Sequence, residues 1–516
     1  MATDLPARLN VAELFLGHPA RVHPARLAIL GEPCPFTYAE LAALAARVAG
    51  ALASSGCRSG DRVLLVLPDS AEFIAAFFGA TTIGAVAVPV NSNAQPADYA
   101  YYLADSGARC AIVHADVLGH VLEMSSAGVL ETLVVVGSAP AGKGSPAPIA
   151  WDDWLASAQP ITGPVDTAAT DTAFFLYTSG SGGTPKAAVH RHCDMLVTNT
   201  CYAQGILGLT PEDRTFSVSK LFFAYGMGNG MYFPLGAGAS TILYPGRPRP
   251  EPVAEIVARY RPTAFFAVPT FYAALLAECS RGLAFDFSSV RLAVSAGEPL
   301  PAEIFERFRA RFGIEILDGI GSTEMLHIFL SPRPGRARPG SCGFEVPGYS
   351  ARILDESGEP VPRGSIGNLV VRGESAFAGY WNKPELTAQI KRGEWVFTGD
   401  KFVQDEDGYF HYCGRADDMM KVRGLWVAPA EVENALLAHP AVAEAAVISR
   451  SFDGLIRPVA YVVLRQGQGS EDLPSTLREF LHDRLASHKI PAQFHFVPAL
   501  PKTPTGKIQR FKLRQP

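Results

Sequence analysis

The sequence predicts an α/β protein whose large N-terminal part is built of helix-covered sheets. Three observations carry this. Short apolar strand-like runs alternate with helical runs through about residue 330, the pattern of parallel sheets with helices on their faces. The chain has 516 residues, more than one hydrophobic core ordinarily serves, so two or more domains are expected. A short, charged, turn-rich stretch at 414–418 (GRADD) separates two apolar regions, as a domain boundary does.

Residues 36–41 (FTYAEL) open an alanine-rich helix, with Thr37 as N-cap and Glu40 as its capping-box partner. Residues 62–67 (RVLLVL) read as a strand, with a helical run from Ser70. Residues 98–104 predict a further helix and 110–114 (CAIVH) the strand after it. The runs 172–176 (TAFFL), 264–268 (AFFAV), 292–295 (LAVS) and 314–317 (IEIL) are short buried strands. A helix starts near Pro301, with Glu303 favourably placed in its first turn. Beyond the boundary, 420–427 predicts a hairpin turning at Gly424, and 429–437 an amphipathic helix. Residues 139–148 (APAGKGSPAP) have the composition of a surface linker.

Composition excludes several classes. With 48% hydrophobic and 18% charged residues the chain is globular rather than disordered. A net charge of −5 gives no reason to expect nucleic acid or an anionic membrane as partner. The 8 cysteines are scattered without a CxxC pair, which fits reduced thiols in a cytoplasmic protein. The N-terminus lacks the basic and apolar regions of a signal peptide. Residues 73–90 (FIAAFFGATTIGAVAVPV) are the one membrane candidate, but Thr81, Thr82 and Pro89 argue for a core helix running into a buried strand.

Residues 177–190 (YTSGSGGTPKAAVH) hold three glycines, the hydroxyls of Thr178, Ser179 and Ser181, and Lys186. Glycine lets backbone N–H groups approach an anion and hydroxyls add donors, so this is the composition of a phosphate cradle; a flexible surface turn would share it. It is not a Walker A loop, because Pro185 precedes Lys186 and Ala187 follows it. Two polar turns, 296–298 (AGE) and 318–324 (DGIGSTE), follow predicted parallel strands, where open α/β sheets place ligands. Residues 220–238 (KLFFAYGMGNGMYFPLGAG) interleave aromatics with glycines and carry no charge after Lys220, as a flat apolar cavity requires. The glycines at 226, 228 and 230 argue against a packed helix there.

These stretches resemble the signature motifs of the adenylate-forming superfamily, which holds acyl- and aryl-CoA ligases, luciferases and peptide-synthetase adenylation domains. The likeness covers nearly the whole chain, and includes TGD at 398–400, GRADD at 414–418 and TGK at 505–507. Gly182 stands where the family has threonine and Ala187 where it has glycine; the first removes a hydroxyl, for which Thr184 is a substitute. FFAYG at 222–226, MLHIF at 325–329 and aspartate at 318 in place of tyrosine are similar to the benzoate-CoA ligase branch.

The resemblance implies a large domain, 1–416, that adenylates and binds an aryl acid. A small mobile α+β domain, 417–516, carries a CoA-tunnel hairpin and the catalytic lysine. Thr178, Ser179, Gly180, Ser181, Lys186 and Thr323 would meet the ATP phosphates. Ala296, Gly297 and Glu298 would enclose adenine with Asp318, Gly319 and Ile320. Asp400 would accept the ribose hydroxyls, since a carboxylate offers two oxygens to paired donors, and Arg415 would pair with ribose or phosphate. Glu324 would hold Mg2+, and Lys507, Thr323 and Glu324 would be the catalytic set. Ala224, Tyr225, Gly321, His327 and Ile328 would line the acid pocket with Lys507 at its carboxylate end. Asp417 would be the hinge, and Arg423 and Gly424 would line the CoA tunnel.

The implied reaction joins benzoate or a ring-substituted benzoate such as anthranilate to CoA through an aryl-AMP, using ATP, Mg2+ and coenzyme A. Alternatives are loading of a separate carrier protein's phosphopantetheine and a non-catalytic acyl-adenylate-binding protein. The protein would be a monomer or homodimer, with a separate acyl carrier or downstream synthase as further partners.

Overall fold

The computed structural model describes residues 5–31, 34–124, 130–138, 146–179, 184–422, 425–452, 455–465, 467, 469, 472–502 and 508–514. Two large, mostly parallel sheets form the bulk of it. In one, the strands Arg62–Val66, Val86–Pro89, Cys110–His114, Thr132–Val136 and Pro148–Ala150 run parallel, and Thr172–Ser179 continues them beside Val86–Pro89. The sheet is completed by antiparallel Pro185–Arg191 and Gly379–Tyr380. The other orders Ile316–Asp318, Leu292–Ser295, Ala264–Ala267, Arg214–Ser217, Ser240–Leu243 and Leu27–Gly31 in parallel, with Phe36–Thr37 at its edge. These strands are short and apolar because both faces are covered; Leu292–Ser295 and Ala264–Ala267 are buried at every position.

The helices follow their sequence signals. Tyr38–Ser54 is opened by the expected capping box between Thr37 and Glu40. Residues 73–90 resolve into the buried helix Ala71–Thr82 and the strand Val86–Pro89. Among the described residues no helix is long and apolar enough to cross a membrane. The expectation against a helix at 220–238 is corrected. The backbone is helical from Ala224 through Gly236, with a wide turn at Gly228–Tyr232. Its glycines serve close approach: a Cβ on Gly226 would lie 2.0 Å from the Lys220 carbonyl oxygen, so packing outweighs the glycine helix penalty of about 1 kcal/mol.

A third, antiparallel sheet holds Ser350–Leu354, Gly367–Arg372, Trp395–Gln404, Lys391–Arg392 and Phe410–Arg415. After it comes a smaller α+β unit with a core of its own. The hairpin strands Met420–Val422 and Leu425–Val427 pair as expected, and Val442–Phe452, Leu455–Leu464 and Gln493–Phe496 form a three-stranded sheet. The helices Pro429–Leu437 and Leu473–His482 bury Val432, Leu436, Leu477 and Leu481 against it. The Arg465 guanidinium of this unit stands 3.8 Å from the Glu303 carboxylate, on the helix Ala302–Phe312 of the large part. All eight cysteines are free, and seven are buried.

Candidate active site

The hairpin of Thr172–Ser179 and Pro185–Arg191 sets the first wall. Its register places Thr178 directly opposite Lys186, so the two side chains share a face. Gly180 and Ser181 lie outside the described residues, as does the side chain of Ser179. Both stems of the loop are tied to one carboxylate, Asp105. The Tyr177 hydroxyl donates to it at 2.7 Å, and the Tyr101 hydroxyl reaches it at 3.2 Å and the Pro185 carbonyl at 2.7 Å. The Lys383 ammonium completes the group 3.3 Å from Asp105.

The second wall is the pair of polar turns. Ser295 and Asp318 end neighbouring parallel strands in register, so Ala296–Gly297–Glu298 and Gly319–Ile320–Gly321 emerge side by side. The Gly319 N–H donates to the Ser295 carbonyl at 2.9 Å, and the Thr270 N–H donates to the Glu298 carboxylate at 3.3 Å. Gly297 needs its glycine, with φ at +92°. Burial pushes the Asp318 carboxyl up to about 8.

Thr323, Glu324 and Met325 form one tight turn on the Ser322 cap. The Tyr380 hydroxyl donates to the Glu324 carboxylate, and the Lys186 ammonium donates to the Tyr380 oxygen at 3.2 Å. The same ammonium lies 4.6 Å from the centre of the Tyr380 ring. Burial lowers the Lys186 pKa, opposed by the charge of Glu324 and assisted by that of Arg415, so four side chains from two sheets and the Thr323–Met325 turn converge. Arg415 faces Asp400 across antiparallel strands, 3.1 Å away, and also donates to the Thr398 carbonyl at 3.0 Å. Among the described residues no group of three or more His, Cys, Asp or Glu gathers to hold a metal. The donor set fits a hard cation bound by the half-buried Glu324 carboxylate and otherwise by phosphate oxygens.

The third wall is aromatic. The His327 imidazole is 3% exposed, with ring centres of Phe233, Tyr202 and Tyr225 at 4.5, 5.2 and 5.6 Å. Burial holds it down to about 3, so it is neutral, and the Tyr225 backbone is the polar group that opposes this shift. The Tyr225 hydroxyl donates to the Val294 carbonyl at 3.1 Å, which fixes the ring. Ile328 is buried beneath the turn, and Ala224 packs against the same core. A Cβ on Gly228 would fall 2.5 Å from His327 Cδ2, so the helix backbone itself is the facing surface. Leu326 takes φ +66° to connect Glu324 on the polar side with His327 on the apolar one, a strain of about 1–3 kcal/mol.

The AMP-binding enzyme family matches residues 16–381, and the AMP-binding enzyme C-terminal domain matches 431–507. The chain belongs to the AMP-binding enzyme family. It is 43% identical over 521 residues to the benzoate–CoA ligase of Thauera aromatica, covering 99% of this chain and 97% of that protein. It superposes on the crystal structure of the anthranilate CoA ligase AuaEII in complex with anthranoyl-AMP with a TM-score of 0.95, at 40% identity over 100% of this chain and 98% of that one. A benzoate CoA ligase structure from Burkholderia xenovorans gives 0.89, at 41% identity over 98% and 100%. The adenylate-forming family and fold expected from the motifs are met, including the likeness to benzoate-CoA ligases.

As an AMP-binding enzyme the chain carries its motif residues on converging walls, with exceptions. Lys507, Arg423 and Gly424 lie outside the described residues. Asp417 is exposed in the turn Ala416–Asp418, where its carbonyl accepts from Arg514. The carboxylate held by ion pairs is its neighbour Asp418, by Arg514 and, at 3.7 Å, by Arg510. Sequence reasoning missed Tyr380, Asp105 and Asp194. Asp105 and Tyr380 act from far along the chain, Asp194 acts on the turn only through the neighbouring His190, and the one signal was Tyr380 in the short GYW run at 379–381.

Proposed function

We propose that this protein is an ATP-dependent aryl-CoA ligase that activates benzoate or a small ring-substituted benzoate. The observation that carries it is the one short stretch from Gly319 to Ile328: Glu324 on it meets Tyr380, which in turn holds Lys186, and three residues on His327 packs among aromatic rings. A flat uncharged acid ring in that pocket presents its carboxylate to the polar wall. The carboxylate oxygen attacks the α-phosphorus of ATP and pyrophosphate leaves. The thiol of CoA then attacks the acyl carbon, loses its proton, and AMP departs.

The chain's part is positioning and charge stabilisation. Thr178, Lys186 and Thr323 would donate to phosphate oxygens, and Asp400 and Arg415 would hold the ribose side. Glu324 would hold Mg2+, which supplies charge neutralisation at the phosphates. Lys507 would reach the reacting oxygens from the small domain, 417–516, pivoting at Asp417. Free cysteines, seven of them buried, support a reducing cytoplasmic setting.

The test is pyrophosphate release with benzoate, 2-aminobenzoate, 2- and 4-hydroxybenzoate, phenylacetate and a medium-chain fatty acid, with and without CoA. The expected result is preference for benzoates with CoA consumed. Adenylation that ignores CoA would point to a carrier-protein acceptor, and preference for the fatty acid would overturn the pocket assignment.

A further inference from the structure

Three successive carbonyls of the Thr323–Met325 turn are each held by a donor from outside it. His190 Nε2 donates to the Thr323 carbonyl at 2.8 Å, the Phe377 N–H to the Glu324 carbonyl at 2.8 Å, and the Ser375 hydroxyl to the Met325 carbonyl at 2.9 Å. All three donors trace back to one buried carboxylate. Asp194, fully buried, stands 2.9 Å from His190 Nδ1 and accepts from the Arg191 N–H at 3.0 Å and the Arg191 guanidinium at 2.8 and 3.0 Å. The same guanidinium reaches out to the Glu374 and Ala376 carbonyls at 2.8 and 3.1 Å. It thereby fixes the segment that supplies the Ser375 and Phe377 donors. The His190 ring is stacked on Phe174, centres 5.1 Å apart and planes 19° from parallel, which leaves its Nε2 one direction.

This scaffold does work that the turn needs. Main-chain carbonyls satisfied from behind leave the Thr323 and Glu324 side chains to face the site, while Leu326 is kept at positive φ. A strained conformation persists only where its surroundings over-determine it. We propose that His190 and Asp194 are positioning residues for the adenylation step, holding the Thr323–Glu324 turn through the Thr323 carbonyl. Neither touches substrate. The inference rests on the assignment of Thr323 and Glu324 to the phosphate side of the site.

The experiment separates the two half-reactions in the full-length enzyme. His190→Ala is expected to lower kcat for pyrophosphate release about 10- to 100-fold, the scale of a misplaced catalytic group. KM for the acid and the rate of thioester formation from supplied aryl-AMP should stay within about twofold, since the thiol step needs no phosphoryl positioning. His190→Gln, which keeps an N–H near Nε2, should recover much of the lost rate. Should His190→Ala fail to fold, Ser375→Ala removes the donor at the other end of the turn, with the same selective loss expected. Equal loss of both half-reactions, or His190→Gln as slow as His190→Ala, would overturn the proposal. The assay uses whichever acid the wild-type enzyme adenylates best, so a wrong substrate assignment shows in the wild-type panel and leaves this comparison intact.

Discussion

The Tyr380 hydroxyl donates a hydrogen bond to the Glu324 carboxylate, and through the same oxygen it accepts one from Lys186. A carboxylate on a turn and an ammonium on a strand are thus spaced by a phenol instead of collapsing onto each other. Tyr380→Phe keeps the ring beneath Lys186 and deletes both hydrogen bonds. Loss of a hydrogen bond to a charged group costs about 1.5–3 kcal/mol, so adenylation should slow about 10- to 100-fold. Pyrophosphate release measures it, and an unchanged rate would remove Tyr380 from the site.

Gly228→Ala places a methyl 2.5 Å from His327 Cδ2 and 2.7 Å from its Nε2. The imidazole must tilt into the ring space, and KM for benzoate should rise about tenfold or more. Overpacking should also lower stability by about 1–3 kcal/mol. Substrate titration and a thermal unfolding midpoint test both effects. A variant that binds benzoate as tightly as wild type would show that the cavity lies elsewhere.

Asp318 gives a pH dependence with a definite sign. Its folded-state pKa, about 8, lies above the ordinary carboxylate value because the group is buried. The native state therefore binds more protons than the unfolded state between about pH 4 and 8. The stability it contributes is full below about pH 4 and is lost as pH rises through about 8. Asp318→Asn removes this titration, so its midpoint relative to wild type should climb from pH 5 to pH 8. Parallel curves for the two proteins would contradict the burial argument.

The two half-reactions should part under substitution in the small domain. Lys507→Ala should cripple adenylation while thioester formation from supplied aryl-AMP continues, and Gly424→Leu should do the reverse by obstructing the thiol. Rapid-quench assays of each step decide it. Equal loss of both steps in Lys507→Ala, or an unchanged overall rate in Gly424→Leu, contradicts the assigned roles.

Much of this site was legible because its chemistry sits in short contiguous runs. Strand ends such as Ser295 and Asp318 announce themselves by an apolar run breaking into glycine and acid. Asp105 and Tyr380 were not legible, since their hydrogen-bond hubs are defined by which elements become neighbours. Asp194 bonds His190 and Arg191 locally, and only its burial and the reach of His190 to Thr323 give it a role. The helix at 224–236 was misjudged for a related reason. Its glycines are poor helix formers in isolation, and only the nearness of the Lys220 carbonyl and the His327 ring explains them. Register supplied the rest: Thr178 opposite Lys186 and Asp400 opposite Arg415 follow from pairings that no spacing along the chain reveals.

The bare backbone at Gly228 has a bearing on how this enzyme can change its diet. Glycine is already the smallest residue, so no substitution at that position can enlarge the proposed ring pocket; every replacement presses on His327. With the proposed pocket, lineages or libraries selected for bulkier acids would draw their variation from the facing rings, at His327, Tyr202 and Phe233, where large rings can be traded for small ones. Adaptation toward smaller acids has both sides open to it.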